Sequence, residues 1–267
     1  PFFIRYDGFM ESQRVYGIEN EIKIISYLNK KVYKDLNEKW KKHVKVIFPN
    51  IEDETVILAK HYPDNCSKPD MILEVNDEEK FISIKIGKCP SVHKESFSSF
   101  RRFLERMHVS YKTLEIIRLY HYGDSKKFVT VDHPLSGEEL REKFGPQFLQ
   151  ASMELNNDIL IRAVISRTVI RGTRSTQRSI DYLYYGDLEH GHLLSVKDIY
   201  SIVLSNKTFG KTPIHFGDLV YLPNCRKEES YERNYVRIKW PILSFLYYAN
   251  DKDIEKMKNG TFTKLSE

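Results

Sequence analysis

An aspartate, a serine and a lysine fall at positions where one β-hairpin would bring them together. Asp70 follows Pro69, and Phe81-Ile-Ser-Ile-Lys85 follows a polar stretch. The sequence predicts strands over Asp70–Val75 and Lys80–Ile86, with Asn76-Asp77-Glu78-Glu79 as the turn. Symmetric closure of that turn sets Asp70 opposite Lys85, Ile72 opposite Ser83 and Glu74 opposite Phe81. Side chains alternate across a strand, so Asp70, Ser83 and Lys85 share one face and Met71, Leu73, Ile82 and Ile84 the other. Carboxylate oxygens suit a hard divalent cation such as Mg²⁺, and an adjacent lysine offsets negative charge on a reactant.

An Asp after Pro on one strand, with an x-Lys motif on the next, resembles the core of the PD-(D/E)XK nuclease superfamily, which includes most type II restriction endonucleases. The resemblance implies metal-dependent phosphodiester hydrolysis. Asp70 is then the central metal ligand, and Lys85 orients or activates the attacking water and counters the phosphate's charge. The departure is Ser83, where the family usually has Asp or Glu; a serine hydroxyl can hold a metal-bound water without replacing the charge. Some restriction enzymes with Ser-x-Lys take the missing acid from the helix downstream. Here that implies Glu95, in a predicted helix over Ser91–His108 after the loop Gly87–Pro90, with Glu105 and Glu74 as further candidates.

A second point of likeness lies upstream, in Gly17-Ile-Glu-Asn-Glu21. Ile18, Ile22, Ile25 and Leu28 predict the apolar stripe of a helix. Superfamily members often carry a Gly and, four residues later, a Glu facing the metal site, which implies Glu21 rather than Glu19. Taken one at a time, a Pro-Asp turn, a strand-end lysine and a helix carboxylate are ordinary solvated groups. Their combination favours the nuclease.

The elements that must position these groups read as mixed α/β, in the order of a restriction-endonuclease-like αβββαβ core with a helical and β-rich C-terminal region. Strands are expected at Val44–Phe48, Thr55–Tyr62, Leu114–Tyr122 and Lys127–Val131. From His133-Pro134 the texture becomes helical, with Gly137–Phe144 and then Gln147–Arg171 broken near Asn156-Asn157 and stopped by Gly172. Residues 1–132 are thus expected to be the nuclease-like core. Residues 133–267 are expected to serve nucleic-acid recognition or dimerisation, as a region of their own or as part of the same compact domain. Within them, Ser179–Asp187, Ile214–Leu222 and Tyr235–Trp240 read as strands and Ser195–Leu204 as a helix. Arg171, Arg174 and Arg178 lie in a basic, hydroxyl-rich loop suited to phosphate contacts. His190 and His192 have no third ligand in view and read as a turn.

With 267 residues, 41% of them hydrophobic, the chain can bury a substantial core. Forty-two basic against 37 acidic residues give a net charge of +5, an excess compatible with nucleic acid but too small to imply it. No apolar run reaches transmembrane length, so an intracellular, cytoplasmic protein without a membrane is expected. Cys66, Cys89 and Cys225 are odd in number and widely separated, which suggests reduced thiols. The expected partners are double-stranded DNA and, because restriction enzymes commonly cut both strands as two-fold pairs, a second copy of the chain. The alternatives are a catalytically disabled nucleic-acid-binding protein on the same fold, an RNA endonuclease, and an α/β interaction domain without nucleic acid.

Overall fold

The computed structural model describes residues 4–64, 67–87, 89–123, 135–174, 177–210, 213–225 and 230–242, with side chains from Val15 onward. The chain opens with helix α1 (Ile4–Leu28), strand β1 (Lys31–Val32) and helix α2 (Glu38–Ile47), then strands β2 (Val56–His61), β3 (Met71–Val75), β4 (Glu78–Lys85) and β5 (Ser91–Ser96). Four helices follow: α3 (Phe97–Arg106), α4 (Tyr111–Tyr122), α5 (Gly137–Leu155) and α6 (Asp158–Ile165). Strands β6 (Tyr182–Gly186) and β7 (Gly191–Ser195), helix α7 (Val196–Ser205), and strands β8 (Ile214–Phe216), β9 (Leu219–Pro223) and β10 (Tyr235–Lys239) are the last elements among the described residues. The result is mixed α/β with two sheets, of order β1-β2-β3-β4-β6-β7 and β5-β10-β9-β8. Among the described residues no helix is long and apolar enough to cross a membrane.

Two compact units divide the chain, residues 1–87 with 170–197 and residues 88–169 with 198–267, where the sequence predicts a division at 132/133. The difference arises because β6 pairs in parallel with β4, so 170–197 completes the first sheet. Parallel strands need a long crossover, and here everything between Lys85 and Tyr182 serves as one.

In the first unit β2, β3 and β4 form an antiparallel meander, and β7 pairs antiparallel with β6. Met71, Leu73, Ile82 and Ile84 are buried in one core with Ile24, Ile25 and Leu28 of α1 and Trp40, Val44 and Ile47 of α2. This is the apolar face that strand alternation predicts. Val44–Phe48, expected as a strand, instead falls in the last turn of α2 and its cap. Asn37 caps that helix by accepting from the Trp40 N–H, and Trp40, Val44 and Ile47 recur at helical spacing, which outweighs the β-branched content of the segment. On α1 the stripe is also displaced. Ile18 and Ile22 are 45% and 46% exposed, whereas Asn20, Ile24, Ile25 and Leu28 are buried. Asn20 Nδ2 donates to the Gly186 carbonyl at 2.9 Å, which satisfies the buried amide.

In the second unit the four-stranded sheet is antiparallel throughout. Phe100, Phe216, Tyr221 and Trp240 are fully buried, and Trp240 Nε1 donates to Asp218. Three expectations change here. Ser91–His108 is not one helix: it divides at Ser96 into β5 and α3, and Ser96 caps α3 by accepting from the Ser99 N–H. Leu114–Tyr122 is helical, within α4, with Ser110 as its cap and Leu114, Ile117 and Tyr120 buried at helical spacing. Ile214–Leu222 is two strands, β8 and β9, joined at Gly217, where φ is +62°. The strand expected at Lys127–Val131 lies outside the described residues. The expected break at Asn156-Asn157 is present: Asn157 caps α6, which passes into a π-helical turn, Ser166–Arg171, ending at Gly172 with φ +86°.

Candidate active site

The β3–β4 turn decides which groups meet. It contains only Asn76 and Asp77, with φ of 50° and 66°, the left-handed pair that a two-residue type I′ hairpin requires. Ile72 therefore faces Phe81 and Met71 faces Ile82, a shift of two residues from the register that symmetric closure of a four-residue turn implies. A slip of one would have sent every side chain to the wrong face; a slip of two leaves the faces unchanged. Asp70, Ser83 and Lys85 thus still share a face, although Lys85 is no longer directly opposite Asp70.

Asp70 sits just before β3 and is held by its own backbone. Its N–H donates to the Ile82 carbonyl at 2.9 Å and its carbonyl accepts from the Tyr62 N–H at 3.1 Å. Its Oδ2 accepts three hydrogen bonds: from Ser83 Oγ at 2.9 Å, the Ile84 N–H at 2.6 Å and Lys85 Nζ at 2.8 Å. Lys85 Nζ also donates to the Ile84 carbonyl at 2.8 Å. The carboxylate is fixed through one oxygen, and no described residue donates to Oδ1. Both charged side chains keep about a fifth of their surface open, 23% for Asp70 and 20% for Lys85. Ser83, the position where the resembled family has an acid, is buried.

Glu21, half-buried on α1, belongs to the same cluster. Burial raises its pKa to about 7, repulsion from Asp70 adds to the shift, and attraction to Lys85 offsets part of it. Two carboxyls and one ammonium therefore share one electrostatic neighbourhood, in which the second carboxylate lacks a full counter-charge.

The same face extends toward the basic loop. Asp181 is tied to β4 twice: its Oδ2 accepts from the Phe81 N–H at 2.9 Å, and its own N–H donates to the Phe81 carbonyl at 2.8 Å. This brings the exposed Arg178 over the Phe81 ring, with its guanidinium carbon 4.0 Å from the ring centroid. Tyr62 packs edge-on against the same ring at 5.9 Å. Arg171 and Arg174 are exposed nearby in sequence, and the Arg174 N–H donates to Gln177 Oε1. The Arg178–Phe81 stack has no clear signature in the sequence, since it depends on the parallel pairing of β4 with β6.

Glu95 lies in the other unit, on strand β5 rather than on a helix. Both of its oxygens are engaged: Arg167 Nε donates to Oε1 at 2.9 Å and an Arg167 terminal nitrogen to Oε2 at 2.6 Å, while His93 Nε2 lies 3.0 Å from Oε1. Burial favours protonation of Glu95, but the His93 and Arg167 hydrogen bonds outweigh it and hold the carboxyl at about 2. Glu74 faces Glu79 across the hairpin, and both bind Lys60. Glu105 is likewise paired, with Arg101. His190 is in a turn, its N–H donating to Asp187.

Among the described residues no group of three or more His, Cys, Asp or Glu side chains is arranged as a metal site. A Mg²⁺ ion does not require one, because it is commonly held by one or two carboxylates together with waters and substrate phosphates. Glu21 and Asp70 could supply two hard oxygen donors; burial, and after it repulsion from Asp70, raises the Glu21 pKa, and a cation would counter both by favouring the ionised carboxylate.

No family model matches the chain, and no curated protein matches it either. Among solved structures it is similar to the restriction endonuclease MspI in complex with its cognate DNA, at 15% identity and a TM-score of 0.47, over 88% of this chain and 96% of that one.

Proposed function

We propose that this chain is a metal-dependent endonuclease, with a restriction-endonuclease-like core, that hydrolyses phosphodiester bonds in double-stranded DNA at specific sequences. The observation that carries this reading is the convergence of Ser83, Ile84 and Lys85 on one oxygen of Asp70, beside a carboxyl held near neutrality. Asp70 and Glu21 would hold Mg²⁺. Held there, Mg²⁺ would supply Lewis-acid activation of water and charge neutralisation for phosphodiester hydrolysis. Lys85, braced between Asp70 and the Ile84 carbonyl, keeps its ammonium on the reacting face, where it orients the attacking water and offsets phosphate charge. Ser83 fixes Asp70 by donation and contributes no charge.

Arg171, Arg174 and Arg178 are assigned to the DNA backbone. Stacking on Phe81 aims the planar fork of Arg178 without consuming its N–H donors, an arrangement suited to phosphate oxygens. A second copy of the chain, related by a two-fold axis, would supply the cut in the other strand.

One observation favours a second reading, a binding protein whose catalytic site is disabled: a buried, neutral Ser83 stands where the resembled family places an acid. Incubating a large duplex of known sequence with the protein in Mg²⁺ or in EDTA separates the two. Discrete fragments in Mg²⁺ alone support the endonuclease; intact DNA in both, with retained binding, supports the second reading.

A further inference from the structure

Helix α3 of the second unit bears an open cleft of about 580 Å³ whose described walls are Ser99, Arg102, Glu105 and Arg106. Arg102 and Arg106 are exposed, one helical turn apart, and line the same cleft. Like charges at that spacing oppose each other. The nearby acids do not relieve them. Glu105 accepts from Arg101 Nε at 3.0 Å, and Glu115 binds Arg118 at 2.7 Å and Arg101 at 3.6 Å. Neither Arg102 nor Arg106 forms an ion pair with a described residue.

Ser99 completes the wall. Its Oγ accepts from Arg167 at 3.1 Å, which directs its hydroxyl proton elsewhere. Two guanidinium forks without an ion-pair partner among the described residues, with a hydroxyl donor around one cleft, select an anion with several acceptor oxygens; arginine forks match carboxylate and phosphate bidentately, and phosphate offers the further oxygen for the hydroxyl. The cleft is open rather than enclosed, so it suits a phosphate carried by a polymer that runs across the surface.

We propose that this cleft holds backbone phosphates of the nucleic acid, as a contact separate from the Arg171–Arg178 loop of the other unit. The inference rests on the DNA substrate proposed above. Phosphate contacts of this kind position a duplex without reading its sequence.

The test is equilibrium binding of a labelled duplex in EDTA, followed by anisotropy from roughly 50 to 200 mM salt. Each neutralised phosphate contributes about 0.9 to the log–log salt slope, so R102A/R106A should be shallower by about 1.8. Over that range the parent should then lose about twelvefold more affinity than the variant. R102K/R106K, which keeps both charges, should retain the parental slope, and R102Q/R106Q should repeat the alanine result without shortening the side chains as far. A parental slope in the alanine and glutamine variants overturns the proposal. If R174A/R178A is then the variant that flattens the slope, the DNA-cutting reading survives and only the cleft is lost. A parent that binds no duplex at any salt overturns both.

Discussion

Lys85 Nζ lies 2.8 Å from Asp70 Oδ2 although the hairpin register sets the two residues diagonally. A lysine is long enough to close that diagonal, so the pair tolerates the two-residue turn. What the turn changes is the occupant of the position facing Asp70, where Ser83 now donates to the same oxygen. The cluster is thus built from both the parity of the strands and the reach of one side chain.

Asp70→Asn should remove the anchor of the cluster with little change in shape. Cleavage is expected to fall by roughly 10³-fold, about 4 kcal/mol of transition-state stabilisation. Duplex binding measured in EDTA should stay within a few-fold of the parent. Single-turnover cleavage and anisotropy on the same preparation check this, and full cleavage by the variant would refute the assignment.

Glu21→Gln should stabilise the metal-free protein at alkaline pH. The native carboxyl has its pKa raised by burial and by Asp70 to about 7, above its ordinary 4.5, so the native state binds more protons than the unfolded one. Stability from this group is therefore full below about 4.5 and declines as pH rises through about 7. Urea unfolding in EDTA should show a gain of about 1 kcal/mol for the glutamine variant at pH near 8, shrinking as the pH falls below 7. In Mg²⁺ the same change should impair cleavage.

Ser83→Asp installs the acid that the resembled family carries, but in a buried place beside Asp70. Without metal it removes a donor and adds a like charge, which should cost about 1–3 kcal/mol. If the proposed Mg²⁺ site is present, the new carboxylate would join its ligands. The melting temperature of the variant should therefore rise more steeply with Mg²⁺ than the parent's, and equal responses would count against a cation at this point.

The shared face of Asp70, Ser83 and Lys85 was legible because strand parity is insensitive to a two-residue slip: the three lie together in either register. Glu21, expected from its spacing after Gly17, falls in the electrostatic neighbourhood of Asp70 and Lys85, although the apolar stripe of α1 is displaced from the expected one, with Ile22 exposed and Ile24 buried. Period alone did not distinguish Leu114–Tyr122 from a strand, since its β-branched and aromatic residues fit both patterns until the Ser110 cap is considered. The parallel return of β6 to β4 was not legible, because nothing local marks which strand a distant segment will join. The two-unit division and the Arg178–Phe81 stack both depend on that pairing. Glu95 shows a different limit: its sequence position suggested a metal-side acid, whereas Arg167, 72 positions away, binds both of its oxygens.

That buried pair supports a last prediction, about stability. Arg167→Ala leaves the Glu95 carboxylate enclosed without its main partner and should cost roughly 3–5 kcal/mol. The pH dependence has a definite sign. Although burial opposes ionisation, His93 and Arg167 hold the native carboxyl at about 2, below its ordinary 4.5, so the native state binds fewer protons than the unfolded one. Stability from Glu95 is then present above about 4.5 and lost as pH falls toward 2. The difference in urea midpoint between parent and Arg167→Ala should accordingly be largest at neutral pH and narrow across that acidic window. Glu95→Gln should show the same narrowing, because its amide oxygen can still accept from Arg167 but the guanidinium is left without a counter-charge. A difference between parent and Arg167→Ala that stays constant from neutral pH to 2 would mean that the pair does not set the ionisation of Glu95.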